Sequence, residues 1–431
     1  MQADARTPRR VGDSYGSGMT GTQLEETQLE LAEFEQQARD FLDGNASKKE
    51  AERKFVWGEG SDKVAMFEER NRTDETNDLH RACEWRGKKY DAGFGWITGP
   101  VEYGGRGLPG AYEKAWNALE AQYQVPNQSA FTIGLGMVAP TILAHGSVSA
   151  KERYLAKMFR ADIVGCQLFS EPGAGSDLAS LQTKAERDGD EWVITGQKVW
   201  TTGAHYSDIG EIIARTDPEL PKHKGLTGFI VDMKAPGVDV RPLRQMTGGA
   251  SFNEVFFNEV HVPDADRLGD LNNGWNVALT TLMNERAAIG AGGAGYGGAG
   301  LAGLAPPERI AQMMRHYGLE RDPVLRQGFA QMYTGYEIAR YTALRTAAAI
   351  EAGQSPGPWT ATSKLFLTTH MNRSASFIAQ VLGPRICADS GEWGTYAWLQ
   401  LLLGVVGMRI GGGTDEILRN TVAEKVLGLP R

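Results

Sequence analysis

The chain has 431 residues, enough for two or three domains or one large multi-lobed unit. Its composition, 41% hydrophobic and 23% charged, is that of a soluble globular protein, and a net charge of −8 without any basic run excludes a nucleic-acid binder. Three cysteines, Cys83, Cys166 and Cys387, form no CxxC pair and no even-numbered framework, which points to a reducing, cytoplasmic setting rather than secretion.

Residues 1–22 are polar and glycine-rich with no apolar stretch of signal-peptide type, so a flexible lead-in is expected there. From 23 to 163 the pattern is helical. Leu24, Leu31, Phe34, Ala38 and Phe41 follow three- and four-residue spacing, and "SAKERYLAKM" predicts a helix capped by Ser149 with Glu152 three residues on. Between 164 and 272 the period changes to two. "AERDGDEWVITG" predicts a hairpin turning at Asp188–Gly189, and "GFIVDM" and "ASFNEVFFNEVHVP" predict further strands. Helical patterning returns over 273–431, where "DPVLRQGFAQMYTGYEIARYTALRTAAAIEAG" predicts a long amphipathic helix closed by Gly353. Pro356 and Pro358 break it from the next helix. The order is α–β–α, and the class is α+β.

Several chemistries find no footing. The seven histidines make no HExxH or His-x3-His pair, so no metal site is expected. No GxSxG elbow or phosphate-binding loop is present. Gly290, Gly292 and Gly295 fit GxGxxG, as do Gly293, Gly295 and Gly298, but they follow a helical segment instead of a strand. They suit close helix or ligand approach better than a dinucleotide turn. The uncharged stretch around them is too glycine-rich and too poor in Leu, Ile and Phe for a membrane span.

Two stretches do carry chemistry. From Leu271 to Pro307 the adjacent Glu285 and Arg286 are the only formal charges, which reads either as a buried acid or as a solvent-facing pair at a helix end. The loop "SEPGAGSD" is rich in backbone N–H groups and hydroxyls, and "QKVWTT" offers Trp200 beside Thr202, a flat ring next to a hydroxyl. That pair suits a planar cofactor, while a Trp packed in the sheet core fits the same pattern.

"SEPGAGSD", "WVITGQKVWTTGA", "VHVPDADRLG" and the closing "GGGTDEILRNTVAEKVLGLPR" together resemble the acyl-CoA dehydrogenase family over about Trp96 to the C-terminus. The resemblance implies an N-terminal helical domain, a small central β-domain and a C-terminal four-helix bundle, with FAD lying between the last two. It assigns flavin contacts to Gln167, Phe169, Ser170, Trp200, Thr201 and Thr202, and the ribose–adenine half to Thr414 and Glu416. Ser176 and Arg286 match positions near CoA. The reaction it implies removes a proton from Cα of an acyl-CoA thioester and a hydride from Cβ, giving the trans-2-enoyl thioester, with an electron-transfer flavoprotein as acceptor.

Many members carry the base in a C-terminal Glu-Gly-Thr, which here reads Gly412-Gly413-Thr414. The branch resembling isovaleryl-CoA dehydrogenase places it on the first helix of the C-terminal bundle, where "LMNERAAIG" puts Glu285. Arg286, the next residue, points about 100° away around the helix. A glycine at 412 still supplies the backbone N–H that polarises the thioester carbonyl in the family.

The pattern departs on the surface that serves a neighbouring subunit's FAD. The family's Arg before Phe-Gly falls on Met314, with Arg315 one place out of register. In "QVLGPRI", Gln380 and Gly383 remain, but Pro384 removes a donor. A homotetramer with a rearranged pyrophosphate site and a heterotetramer with a paralogous subunit both fit. So do an acyl-CoA oxidase and a non-catalytic supporting subunit as rival functions.

Overall fold

The computed structural model describes residues 21–50, 55–64, 72–290, 305–351 and 357–430. The N-terminal third is helical: α1 (Gly21–Asn45), α2 (Arg72–Asp91), α3 (Gly110–Glu120), α4 (Ala139–His145) and α5 (Val148–Arg160). A short antiparallel pair, β1 (Ser47–Lys48) with β2 (Tyr123–Gln124), ties the end of α1 to the segment after α3. Phe34 and Ala38 of α1 are buried as their spacing predicts, and Phe94 stacks on Trp116 at 4.4 Å in the same core.

Helix α5 starts two residues earlier than the sequence predicts. Ser147, not Ser149, is the cap: its hydroxyl accepts from Ala150 N at 3.1 Å, and Ser149 Oγ sits 3.2 Å from Ser147 Oγ. A hydroxyl two residues upstream reaches the orphan N–H at the third helical position, so it wins over one already inside the first turn.

The middle of the chain is an eight-stranded sheet. It comprises β3 (Gly165–Leu168), β4 (Lys184–Asp188), β5 (Glu191–Thr202), β6 (Ile209–Arg215), β7 (Leu226–Asp232), β8 (Val238–Leu243), β9 (Phe252–Pro263) and β10 (Arg267–Leu268). The order is β10-β7-β6-β4-β5-β9-β8, with β3 lying parallel on β6. Gly189, at φ +61°, makes the predicted β4–β5 hairpin. Ile212 and Ala214 of β6 face Cys166, Leu168 and Phe229 on one side of the sheet, whereas Ile209 and Ile213 join α4, α5 and α6 on the other.

The C-terminal domain is helical: α6 (Gly274–Gly290), α7 (Pro307–His316), α8 (Pro323–Glu351), α9 (Thr360–Leu382), α10 (Ala397–Gly404) and α11 (Asp415–Thr421). Gly353 lies outside the described residues. Helix α9 is central: fourteen of its residues, Thr360 and Lys364 among them, are buried. Residues 55–64 pack on this domain although they precede α2 in the chain. Trp57 N donates to Gln312 Oε1 at 2.8 Å, Gln312 Nε2 donates back to the Phe55 carbonyl at 2.6 Å, and Val64 joins the core of Met313 and Phe377. None of the described helices is long and apolar enough to cross a membrane.

Candidate active site

The loop after β3 is held from below. Glu171 is buried, and its carboxylate accepts from Gln182 N at 2.6 Å, from Thr183 N at 2.9 Å and from Lys198 Nζ at 2.9 Å. Burial works against the charge of Glu171, but the ammonium and these donors outweigh it, and its pKa is lowered. Val199 N donates to the Ser170 carbonyl at 2.8 Å, so the first residues of "SEPGAGSD" are laced to β5.

Beside that junction β5 bulges between Lys198 and Thr201. Trp200 takes φ +63°, a left-handed conformation an L-residue adopts at a cost of about 1–2 kcal/mol. The bulge turns its indole outward to 58% exposure, edge-on to Phe252 with ring centres 5.9 Å apart. The sheet-core alternative for Trp200 is thereby removed. Thr201 is turned inward instead, its buried Oγ without a partner. Ser170, Thr202 and Gln167 are half-buried, Phe169 is buried and Ser176 is exposed. A strained backbone that presents a large bare ring fits a site built to receive something flat.

Sequence reasoning missed the residues that brace this strand. Asn253 Nδ2 donates to the Thr201 carbonyl at 3.0 Å and to His205 Nδ1 at 3.2 Å. Because Nδ1 accepts, His205 Nε2–H donates to Glu75 at 2.9 Å, linking the end of β5 to α2. Neither contact has a signal in sequence, since His205 and Glu75 are 130 residues apart.

On α6 the buried positions Gly274, Val277, Ala278 and Thr281 recur every three or four residues, and Glu285 is the next in that series. Leu279 and Met283 point the other way and are exposed. Glu285 is half-buried, so it continues the inward stripe instead of standing on the solvent face. The side chain of Arg286 and the glycines between 291 and 304 lie outside the described residues.

The glycine turn approaches from the C-terminus. Gly412 is buried at φ +68° and Gly413 has φ +95°, and buried Lys364 donates to the Gly413 carbonyl at 2.8 Å. Glutamate at 412 would have to adopt a left-handed backbone, which glycine does without cost. Thr414 caps α11, its hydroxyl accepting from Ile417 N at 3.2 Å, and Glu416 is exposed. Further out, Met314 is buried in the helical core while Arg315 and Gln380 are exposed, and Gly383 takes φ +55°. These last residues lie at the C-terminal ends of α7 and α9.

The helical, β-sheet and helical parts in this order are the three-part architecture of the acyl-CoA dehydrogenases, and comparison with known proteins gives the same class. Residues 50–162, 166–260 and 272–427 match the N-terminal, middle and C-terminal domains of acyl-CoA dehydrogenase. The chain belongs to the acyl-CoA dehydrogenase family, whose members are flavin oxidoreductases that bind FAD. It is 35% identical to acyl-CoA dehydrogenase IpdE1 of Mycobacterium tuberculosis over 93% of this chain and 98% of that one. It is 40% identical to acyl-CoA dehydrogenase FadE34 of the same organism over 68% of this chain, a match that spans only 39% of FadE34. Among solved structures, the Tcur3481-Tcur3483 steroid ACAD superposes with a TM-score of 0.67 at 27% identity, covering 94% of this chain and 98% of that one.

Proposed function

We propose that the chain is an FAD-dependent acyl-CoA dehydrogenase that converts a bulky acyl-CoA thioester to its trans-2-enoyl form, with Glu285 as general base. The observation that carries this reading is the stripe on α6, which delivers the helix's one acid to its inward face. Glu285 takes the proton from Cα of the thioester. The Gly412 N–H polarises the thioester carbonyl, which makes that proton more acidic. Trp200, Thr202, Ser170, Gln167, Phe169 and Thr201 would hold the isoalloxazine, Thr414 and Glu416 the ribose–adenine half, and Ser176 and Arg286 the CoA. FAD, when bound, supplies at N5 the acceptor for the hydride that leaves Cβ. An electron-transfer flavoprotein in the cytoplasm then takes the electrons.

Bulky, ring-containing acyl groups are favoured by the likeness to a steroid ACAD. A second reading, a heterotetramer with a paralogous subunit, is favoured by Met314. It is buried where the family offers an Arg to its neighbour, and Pro384 lacks a donor nearby. Arg315, Gln380 and Gly383 would be what remains of that neighbour-facing site.

The test is an absorbance titration of the purified protein with a panel of acyl-CoAs, repeated on Glu285→Gln. A flavin band that ring-containing thioesters bleach is expected. The variant should keep the band and lose turnover by at least about a thousandfold. An absent flavin band, full activity in the variant, or preference for short straight chains each overturns its part of the reading. Peroxide released without an added acceptor would make it an oxidase.

A further inference from the structure

One fully buried acid has no part in the reading so far. Glu211, on β6, is fully buried, and burial pushes its carboxyl up to about 8, with a smaller opposing effect from its single hydrogen bond. That bond is to Thr281 Oγ, 2.6 Å from Oε1, while Oε2 has no partner. Thr281 Oγ is in turn 2.8 Å from Thr141 Oγ on α4, and Thr141 Oγ donates to the Met137 carbonyl at 2.8 Å. All three side chains are fully buried.

Their placement matters more than their burial. Glu211 is register-paired with Gln167 on β3, the strand that runs into the "FSEPGAGSD" loop. Thr281 is four residues before Glu285, one turn along the same face of α6. The Met137 carbonyl belongs to a π-helical turn, Gly134–Val138, a widened geometry that recurs at functional sites. The hydroxyl chain therefore ties β6, the strand paired with β3, to the base helix and to α4. An apolar residue on β6 would bury as well at this spot, so an acid with one oxygen unpaired is not there for stability.

The geometry points to Glu211 as a positioning residue of the dehydrogenation: through Thr281 it fixes the turn of α6 that presents Glu285 to the substrate. This rests on the proposed base role of Glu285. The titratable groups facing this network are few among the described residues. On α6 there is Glu285 itself; on α4 there is His145, one turn beyond Thr141 and bonded to Thr280 at 2.8 Å; on β3 and β7 the neighbours are Gln167 and Ile230, which do not titrate.

The experiment compares Glu211→Gln, Glu211→Leu and Thr281→Val in the flavin-loaded enzyme, with Glu285→Gln as control. A base displaced by about 1 Å costs on the order of a hundredfold, so kcat should fall about ten- to a hundredfold in Glu211→Leu and Thr281→Val. KM and the flavin band should change less than about twofold, and Glu211→Gln, which keeps the hydrogen bond, should restore kcat to within about threefold. Unchanged kcat in Glu211→Leu, or a Gln variant as slow as the Leu one, overturns the proposal. If Glu211→Leu does not fold, Thr281→Val decides alone by the same criterion. An active Glu285→Gln enzyme would instead sink the base assignment, so the two failures are told apart.

Discussion

Lys198, wholly buried in β5, places its ammonium 2.9 Å from Glu171 Oε1 and 3.0 Å from the Phe169 carbonyl oxygen. One side chain thus neutralises the carboxylate that holds the Gln182–Thr183 amides and also fixes the backbone of a proposed flavin contact. Burial pulls the Lys198 ammonium down, and Glu171 opposes that shift.

Lys198→Met leaves Glu171 buried without its cation. Removing one partner of a buried pair costs about 3–5 kcal/mol, whereas replacing both with apolar groups is often nearly neutral. Lys198→Met should therefore lower the denaturant midpoint strongly, and Lys198→Met with Glu171→Leu should recover much of the loss. Flavin content should stay low in the double variant, because the Phe169–Ser170 loop is no longer tied down. Equal stability of Lys198→Met and wild type would contradict this account.

Trp200 makes the opposite prediction for stability. Its left-handed backbone stores about 1–2 kcal/mol of strain that glycine would release, while its exposed ring contributes little burial in return. Trp200→Gly should melt no lower than wild type when both are stripped of flavin. It should also retain flavin more weakly, read as the fraction of flavin absorbance surviving gel filtration. A Gly variant that is clearly less stable without flavin would mean the indole serves the fold.

How much of this was legible in sequence differs from element to element. The change from period three-to-four to period two, and back, marks the helical and β regions because each burial geometry imposes its own repeat. Glu285 stood out because its surroundings carry no other acid. Glu211 did not, since in "DIGEIIARTD" an acid at an alternate strand position reads as solvent-facing. Only the arrival of α4 and α6 over that face buries it. The Trp200 bulge was hidden for a related reason: a register shift belongs to two strands, and a single strand's pattern does not contain it. Ser149, standing three residues before Glu152, mimics a capping box and masks the true cap at Ser147.

Glu211 also predicts a pH dependence of stability with a definite sign. Its native pKa, about 8, lies above the ordinary value of 4.5, so between those pH values the native state holds a proton the unfolded state has lost. Stability contributed this way is complete below pH 4.5 and is lost as pH rises through 8. At roughly 1.4 kcal/mol per pKa unit the ceiling is a few kcal/mol. Glu211→Gln should match wild type at the low end of this range and be more stable just above its high end, measured by denaturant unfolding at each pH. Parallel stability curves for the two proteins across that range would refute the buried-acid assignment.

Met314 yields the last prediction. It sits 4% exposed in the core with Ile310 and Met313, while Arg315 beside it is exposed. Because adjacent helical residues point about 100° apart, the helix cannot present position 314 to a neighbour without turning Arg315 away. Met314→Arg would restore the family's residue in sequence but bury a guanidinium among apolar side chains. The nearby Arg385 already stacks on Tyr317 at 4.4 Å, and Tyr317 donates to Glu392 at 2.9 Å, so the carboxylate on this side is already engaged. Met314→Arg should therefore destabilise the chain by about 3 kcal/mol or more and leave the flavin content of the chain expressed alone no higher than before. A stable Met314→Arg protein with raised flavin occupancy would show that position 314 does reach a neighbour's cofactor, and would remove the structural argument for a paralogous partner.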